Sequence, residues 1–255
     1  MKKASYSPKT IRHVHNVLSS ALKQAVKWRM LIQNPCELCE LPRMERTEMK
    51  YFTPEETAIF LETAKDDKYY SALLLAIETG MRPEEYLGLQ WKDIDWENQV
   101  LSVRRALVVK KGGGFIFTEP KTKKSRRSIP LSKSVINALK IYRKKQLEER
   151  LKIGANYQNF DLVFASEIGT PLLHQNFTRR HFKLIRDKAK LPKIRLYDLR
   201  HTTATLLLSA GENPKVVSEQ LGHASIVLTL DTYSHVLPTM QKEATIKIEK
   251  LMFRT

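Results

Sequence analysis

A chain of 255 residues, 42% of them hydrophobic, is long enough to bury one sizeable core and too apolar to be disordered. Its 44 lysines and arginines against 27 acidic residues leave a net charge of +17, which points to a polyanion such as nucleic acid, set against a merely solvated basic surface. No apolar run reaches the length of a membrane span and the start, Met1 to Ser5, has no apolar leader, so no membrane partner and a cytoplasmic, nucleoid-associated place are expected.

The first predicted element is an amphipathic helix over residues 8–32, with Ile11, Val14, Leu18, Leu22 and Val26 at helical spacing. Ser7 and Pro8 supply its cap and first turn, and Asn34-Pro35 stops it. One helix cannot bury its own apolar face, so this portion reads as half of a helical domain. Cys36 and Cys39 form a single Cys-x-x-Cys. Zinc would need two more ligands, with His13 and His15 nearest, and an inert thiol pair is the expectation. A polar, unpatterned linker follows around residues 41–47, which places a domain boundary at 46/47.

Thr53-Pro54-Glu55-Glu56 is a capping box that opens a helix to about Ala64. A strongly apolar helix from Tyr69 to Glu78 ends at Thr79-Gly80, and Pro83-Glu84-Glu85 begins another. Residues 93–110 and 115–131 are β-rich around Gly112-Gly113-Gly114, so one small antiparallel sheet is predicted. Helices are predicted over residues 132–151, 176–189, 198–210 and 214–221, with an amphipathic tail after Pro238. The fold class is mostly α with a small antiparallel β-sheet (α+β).

Arg82 lies between a glycine-terminated helix and a helix start, where anions bind well, although a surface ion pair with Glu84 or Glu85 explains it equally simply. Lys121, Lys123, Lys124, Arg126 and Arg127 crowd one basic turn that suits DNA contact, and one of its lysines could protonate a leaving oxygen. Spacing alone does not choose among Lys121, Lys123 and Lys124. Asp198 is a predicted N-cap that puts Arg200 in a first helical turn. His201 reads as a structural histidine. The helices at 198–210 and 214–221 could also form a DNA reader without catalysis, but such a reader has no reason to place His223 after Gly222 and Tyr233 beyond it.

Taken together, Thr79-Gly80-Met81-Arg82-Pro83-Glu84-Glu85, Pro120-Lys121-Thr122-Lys123, Tyr197-Asp198-Leu199-Arg200-His201-Thr202, Leu221-Gly222-His223 and Asp231-Thr232-Tyr233-Ser234-His235-Val236 resemble the tyrosine recombinases, specifically the phage and conjugative-transposon integrases. The resemblance implies that Tyr233 is a nucleophile forming a 3′-phosphotyrosyl bond. It implies that Arg82 and Arg200 clamp the phosphate, that His223 supports the transition state and that Lys121 is the general acid. No cofactor and no metal are implied. Tyr197 stands where the family usually has histidine, and its phenol is a poor proton shuttle near neutral pH.

By the same resemblance residues 1–46 correspond to the C-terminal half of a core-binding domain, with weak DNA affinity as the consequence, and residues 47–255 to the catalytic domain. Double-stranded attachment-site DNA, other protomers in a tetramer, and a directionality factor or host DNA-bending protein are the implied partners. The tail suits packing on a neighbouring protomer and on its own domain equally. The implied activity is integration or excision of a mobile element. Chromosome-dimer resolution and a catalytically impaired DNA-binding remnant are the alternatives.

Overall fold

The computed structural model describes residues 6–44, 49–110, 112–119 and 126–233, together with 245, 246, 248, 249 and 252. They belong to two compact units, Met1–Glu48 and Met49–Thr255.

In the first unit the Ser7 hydroxyl accepts the Thr10 amide at 3.2 Å and opens α1, Pro8–Lys27. This helix stops short of the predicted residue 32 because Arg29 turns to φ 60°. Asn34 then caps a 3₁₀ turn, Pro35–Leu38, and its Nδ2 donates to Ser19 Oγ at 2.9 Å, tying the turn back onto α1. Within that turn Cys36 is buried and Cys39 exposed. Val14, Val17 and Leu18 stay exposed on α1.

The second unit opens with α2, Pro54–Ala64, whose Thr53/Glu56 capping box forms as the sequence predicts. Helix α3, Tyr70–Thr79, is apolar nearly all round and correspondingly buried. After Gly80 comes α4, Pro83–Leu87. Strands β1 (Ile94–Asp95), β2 (Val100–Val103), β3 (Ala106–Val109), β4 (Phe115–Thr118) and β5 (Arg127–Pro130) follow.

They form two sheets rather than the single one expected: an antiparallel β1-β2-β5 sheet and a β3-β4 hairpin. The split falls at Arg104-Arg105, where the Arg105 guanidinium pairs with buried Asp93 and turns the chain out of the first sheet. Leu101 faces Ile129 across β2 and β5, and both are buried.

Helix α5, Lys133–Ile153, sends Val135, Ile136, Leu139 and Tyr142 inward. The helix predicted over 176–189 is instead α6 (His174–Phe177), a π turn (Thr178–Phe182) and α7 (Lys183–Lys188). Phe177 and Phe182, five residues apart, are both fully buried. An α-helix would point them well apart around its axis, and the wider turn brings them towards one face. The chain continues through α8, Asp198–Ser209, α9, Pro214–Leu221, and α10, Ile226–Thr232. Most of the predicted tail lies outside the described residues.

A large apolar core runs from Phe52 to Leu199. A second, small cluster consists of Ala204, Leu208, Val217, Leu221 and Tyr233. Helix α8 borders both.

Candidate active site

Gly80 ends α3 at φ 63°, a backbone state that favours glycine. A Cβ there would also lie 2.5 Å from Leu221 Cδ2, so glycine lets α9 approach the end of α3. Its carbonyl accepts from Arg200 Nη1 at 2.9 Å. Two residues on, Arg82 caps α4. Glu85 returns to accept the Arg82 amide at 2.9 Å and the Arg82 Nη1 at 2.9 Å.

Glu85 is 5% exposed and is shared by a second cation. Arg127, on β5, donates Nη2 to Glu85 Oε2 at 2.8 Å and Nε to the Gln220 carbonyl at 2.5 Å. Burial pushes the Glu85 carboxyl up, but Arg127 and then Arg82 outweigh it and hold it below the usual carboxylate range. One buried carboxylate thus joins strand β5 to the start of α4, while Arg127 also grips the end of α9.

Arg200 is 2% exposed in the first turn of α8. Burial, followed by the positive charge of Arg82, pushes its pKa down to about 10, so it remains charged at neutral pH. Its Nη2 is buried and finds no protein partner among the described residues. Buried donors without partners are rare, and one beside a second guanidinium is suited to an anion's oxygen. Asp198 is the first helical residue rather than the N-cap. Its carboxylate reaches back to the Arg195 amide at 2.8 Å and the Arg195 guanidinium at 2.7 Å.

Gly222 ends α9 at φ 69°, and a Cβ on it would come 2.9 Å from Arg127 Nη1. That close passage delivers His223, whose Nδ1 lies 2.7 Å from the hydroxyl of fully buried Thr229. Burial, Arg200 and Arg82 push its pKa down to about 4, so its imidazole is neutral at pH 7. Tyr233 closes α10 and is 1% exposed, with its ring in the small apolar cluster. Its hydroxyl lies 2.8 Å from His201 Nδ1. Burial raises the phenol well above 10, although Arg200 pulls it down.

Arg82, Arg200, His223 and Tyr233, drawn from four separate stretches of sequence, therefore share one electrostatic neighbourhood. Tyr197 sits at its edge, 37% exposed, with its ring 5.7 Å from that of His201. Lys121, Lys123 and Lys124 lie outside the described residues. Arg126 is on the surface and pairs with Glu119 at 2.6 Å.

Arg127, expected on the exposed basic turn for DNA contact, is folded inward instead. Strand alternation carries the signal: Arg127 and Ile129 share a face of β5, and that face is the buried one. Glu85, read from the sequence only as a surface ion-pair partner of Arg82, and His201, read as a structural histidine, are further residues of the site. Glutamate at the third position after Arg82 is a helix-capping pattern that could have marked Glu85. Nothing local marks His201.

Residues 50–240 match the phage integrase family. The chain is 36% identical to a tyrosine recombinase XerC-like protein of Caldanaerobacter subterraneus subsp. tengcongensis, over 93% of this chain and 65% of that protein. It is 32% identical to the ICEBs1 integrase of Bacillus subtilis (strain 168), over 96% of this chain and 67% of that protein. The chain thus spans about two thirds of the length of these relatives. Among solved structures it is similar to the Tn1549 transposon integrase in complex with transposon right end DNA. The TM-score is 0.79 at 27% identity, covering 100% of this chain and 82% of that one.

Proposed function

The chain belongs to the phage integrase family, and from that premise we propose that it cuts and rejoins double-stranded DNA through a covalent bond to Tyr233. The observation that carries this reading is the buried, partly unpartnered Arg200 guanidinium, set beside Arg82 and in the same charge cluster as the Tyr233 phenol.

A scissile phosphodiester bound there has its non-bridging oxygens against Arg82 and Arg200, which oppose the charge that builds as a fifth oxygen approaches phosphorus. Glu85, itself held by Arg127, fixes the Arg82 guanidinium through a hydrogen bond before substrate arrives. His223, uncharged and anchored through Thr229, donates from Nε2 to a phosphate oxygen when that nitrogen carries the ring proton.

The Tyr233 oxygen attacks phosphorus, the bond to the 5′-oxygen breaks, and Lys121 protonates that oxygen as it leaves. The phosphotyrosine conserves the bond, so a 5′-hydroxyl from a second strand reverses the step. The side chain of Tyr233 is buried, so a phosphate reaches it after local movement of α10 or of its neighbours.

The integrase relative and the DNA-bound transposon integrase favour movement of a mobile element. Attachment-site DNA, further protomers in a tetramer and a directionality factor are the proposed partners, and residues 1–46 are proposed as part of a core-binding domain. Association with the nucleoid is part of the same proposal, supported by the charge of +17.

The test uses nicked suicide substrates tiled across DNA flanking the gene, incubated with the protein and read on denaturing gels. A protein–DNA adduct that Tyr233→Phe loses while still binding DNA is the expected result. An adduct formed undiminished by Tyr233→Phe, or none formed by the wild type, overturns the reading.

A further inference from the structure

The proposed reaction leaves one proton unassigned. Attack by Tyr233 requires its phenol to lose a proton in the transition state, because a buried phenol above its ordinary value of 10 is not ionised at neutral pH. The residue that stands where the family usually has a histidine is Tyr197, which carries a phenol and not an imidazole. His223 has its Nδ1 committed to Thr229.

His201 Nδ1 lies 2.8 Å from the Tyr233 oxygen, within the range a general base needs. We propose that His201 is a catalytic residue, the base that takes the Tyr233 proton during cleavage and returns it during rejoining. This rests on the reading of Tyr233 as the nucleophile.

The step balances. With the ring proton on Nε2, Nδ1 accepts the phenolic proton as the oxygen–phosphorus bond forms and the bond to the 5′-oxygen breaks. The imidazolium then gives the proton back when a 5′-hydroxyl attacks the phosphotyrosine. The surroundings suit the task. Burial lowers the His201 value below 6.5, Asp198 opposes that shift, and Arg200 and Arg195 add to it, so the imidazole is uncharged and able to accept. His223, from the turn after α9, and Tyr233, from the end of α10, also face it. A phosphate seated between Arg82 and Arg200 cancels part of the field that depresses His201, so its basicity rises when substrate is in place.

The experiment compares wild type with His201→Asn, whose amide oxygen can still accept the phenolic hydrogen bond but cannot take the proton. Single-turnover adduct formation on nicked DNA is measured against pH, with DNA affinity and thermal midpoint determined alongside. The expected result is a cleavage rate about 10²–10⁴-fold lower with affinity unchanged. The variant also loses the fall in rate that wild type shows below the His201 value. A substrate with sulfur at the bridging 5′ position, whose leaving group needs no proton, should leave the defect in place.

A His201→Asn rate equal to wild type overturns the proposal, and so does a defect that the sulfur substrate repairs, which would put His201 on the leaving-group side. Should His201→Asn not fold, His201→Ala with added imidazole decides: a saturable return of adduct supports the assignment, and no return overturns it. A wild type that forms no adduct removes the functional reading itself, and the role of His201 with it.

Discussion

The two halves of the site are held in different ways. On one side Arg82, Glu85, Arg127 and Arg200 are locked to the ends of α3 and α4 and to β5, all bordering the large core. On the other, Tyr233 rests with four other buried apolar residues in a small cluster, and its hydroxyl is hydrogen-bonded to His201. In the proposed reaction, charge stabilisation works best when donors are fixed beforehand, whereas the proposed nucleophile, which must first be uncovered, is better placed on a part of the fold that opens cheaply. Helix α8 joins the halves, with Arg200 on one and Ala204 and Leu208 on the other.

Removing the shared carboxylate tests that contrast most severely. Glu85→Ala leaves Arg127 buried without its carboxylate partner and should cost about 3–5 kcal/mol in urea unfolding. A loss under 1 kcal/mol would mean that the arginine side is not braced as described.

Acid should act next. His223 has a folded value of about 4 against 6.5, so the unfolded chain takes up the proton first. Its contribution to stability is complete above pH 6.5, declines as pH falls towards 4 and is then exhausted. On the order of 1–3 kcal/mol should disappear across that window, allowing for solvent screening, and His223→Gln should remove this part of the pH dependence. Glu85, held below the carboxylate range, contributes stability that is lost at still lower pH.

Gly80→Ala strikes the seam between the halves, through its φ of 63° and the contact with Leu221. A thermal melt should show a loss of about 2 kcal/mol. The smallest effect is expected from Tyr233→Phe, which removes one hydrogen bond worth about 1 kcal/mol. Hydrogen exchange should then quicken in α10 and leave α3 unchanged. Equal quickening in both would show that the halves open together.

Much of this molecule is legible in its residues because the signals are local. The Thr53 cap, the largely apolar α3 and the capped start of α9 follow from neighbours within a turn or two. The two arginines and His223 sit beside local landmarks, a helix end or a glycine turn, whereas Tyr233 stands out through the family resemblance, because the helix it closes is not marked in the sequence. The π turn at 178–182 was not legible, since its cause is the burial of Phe177 and Phe182 in a core that no helical period encodes.

Arg127 and His201 are the clearest cases of what the chain alone leaves open. Arg126 and Arg127 are chemically identical neighbours, yet one pairs at the surface and the other is drawn inside by Glu85, more than forty residues away in sequence. His201 follows Arg200 directly, and its meaning comes from a phenol that the fold returns to within 2.8 Å of it. The sequence by itself determined most of the helices, the charge and the chemical types available. Which of those groups meet was decided by long-range packing, because partners that distant in the chain are selected by burial and charge pairing in the folded core, and no local preference encodes them.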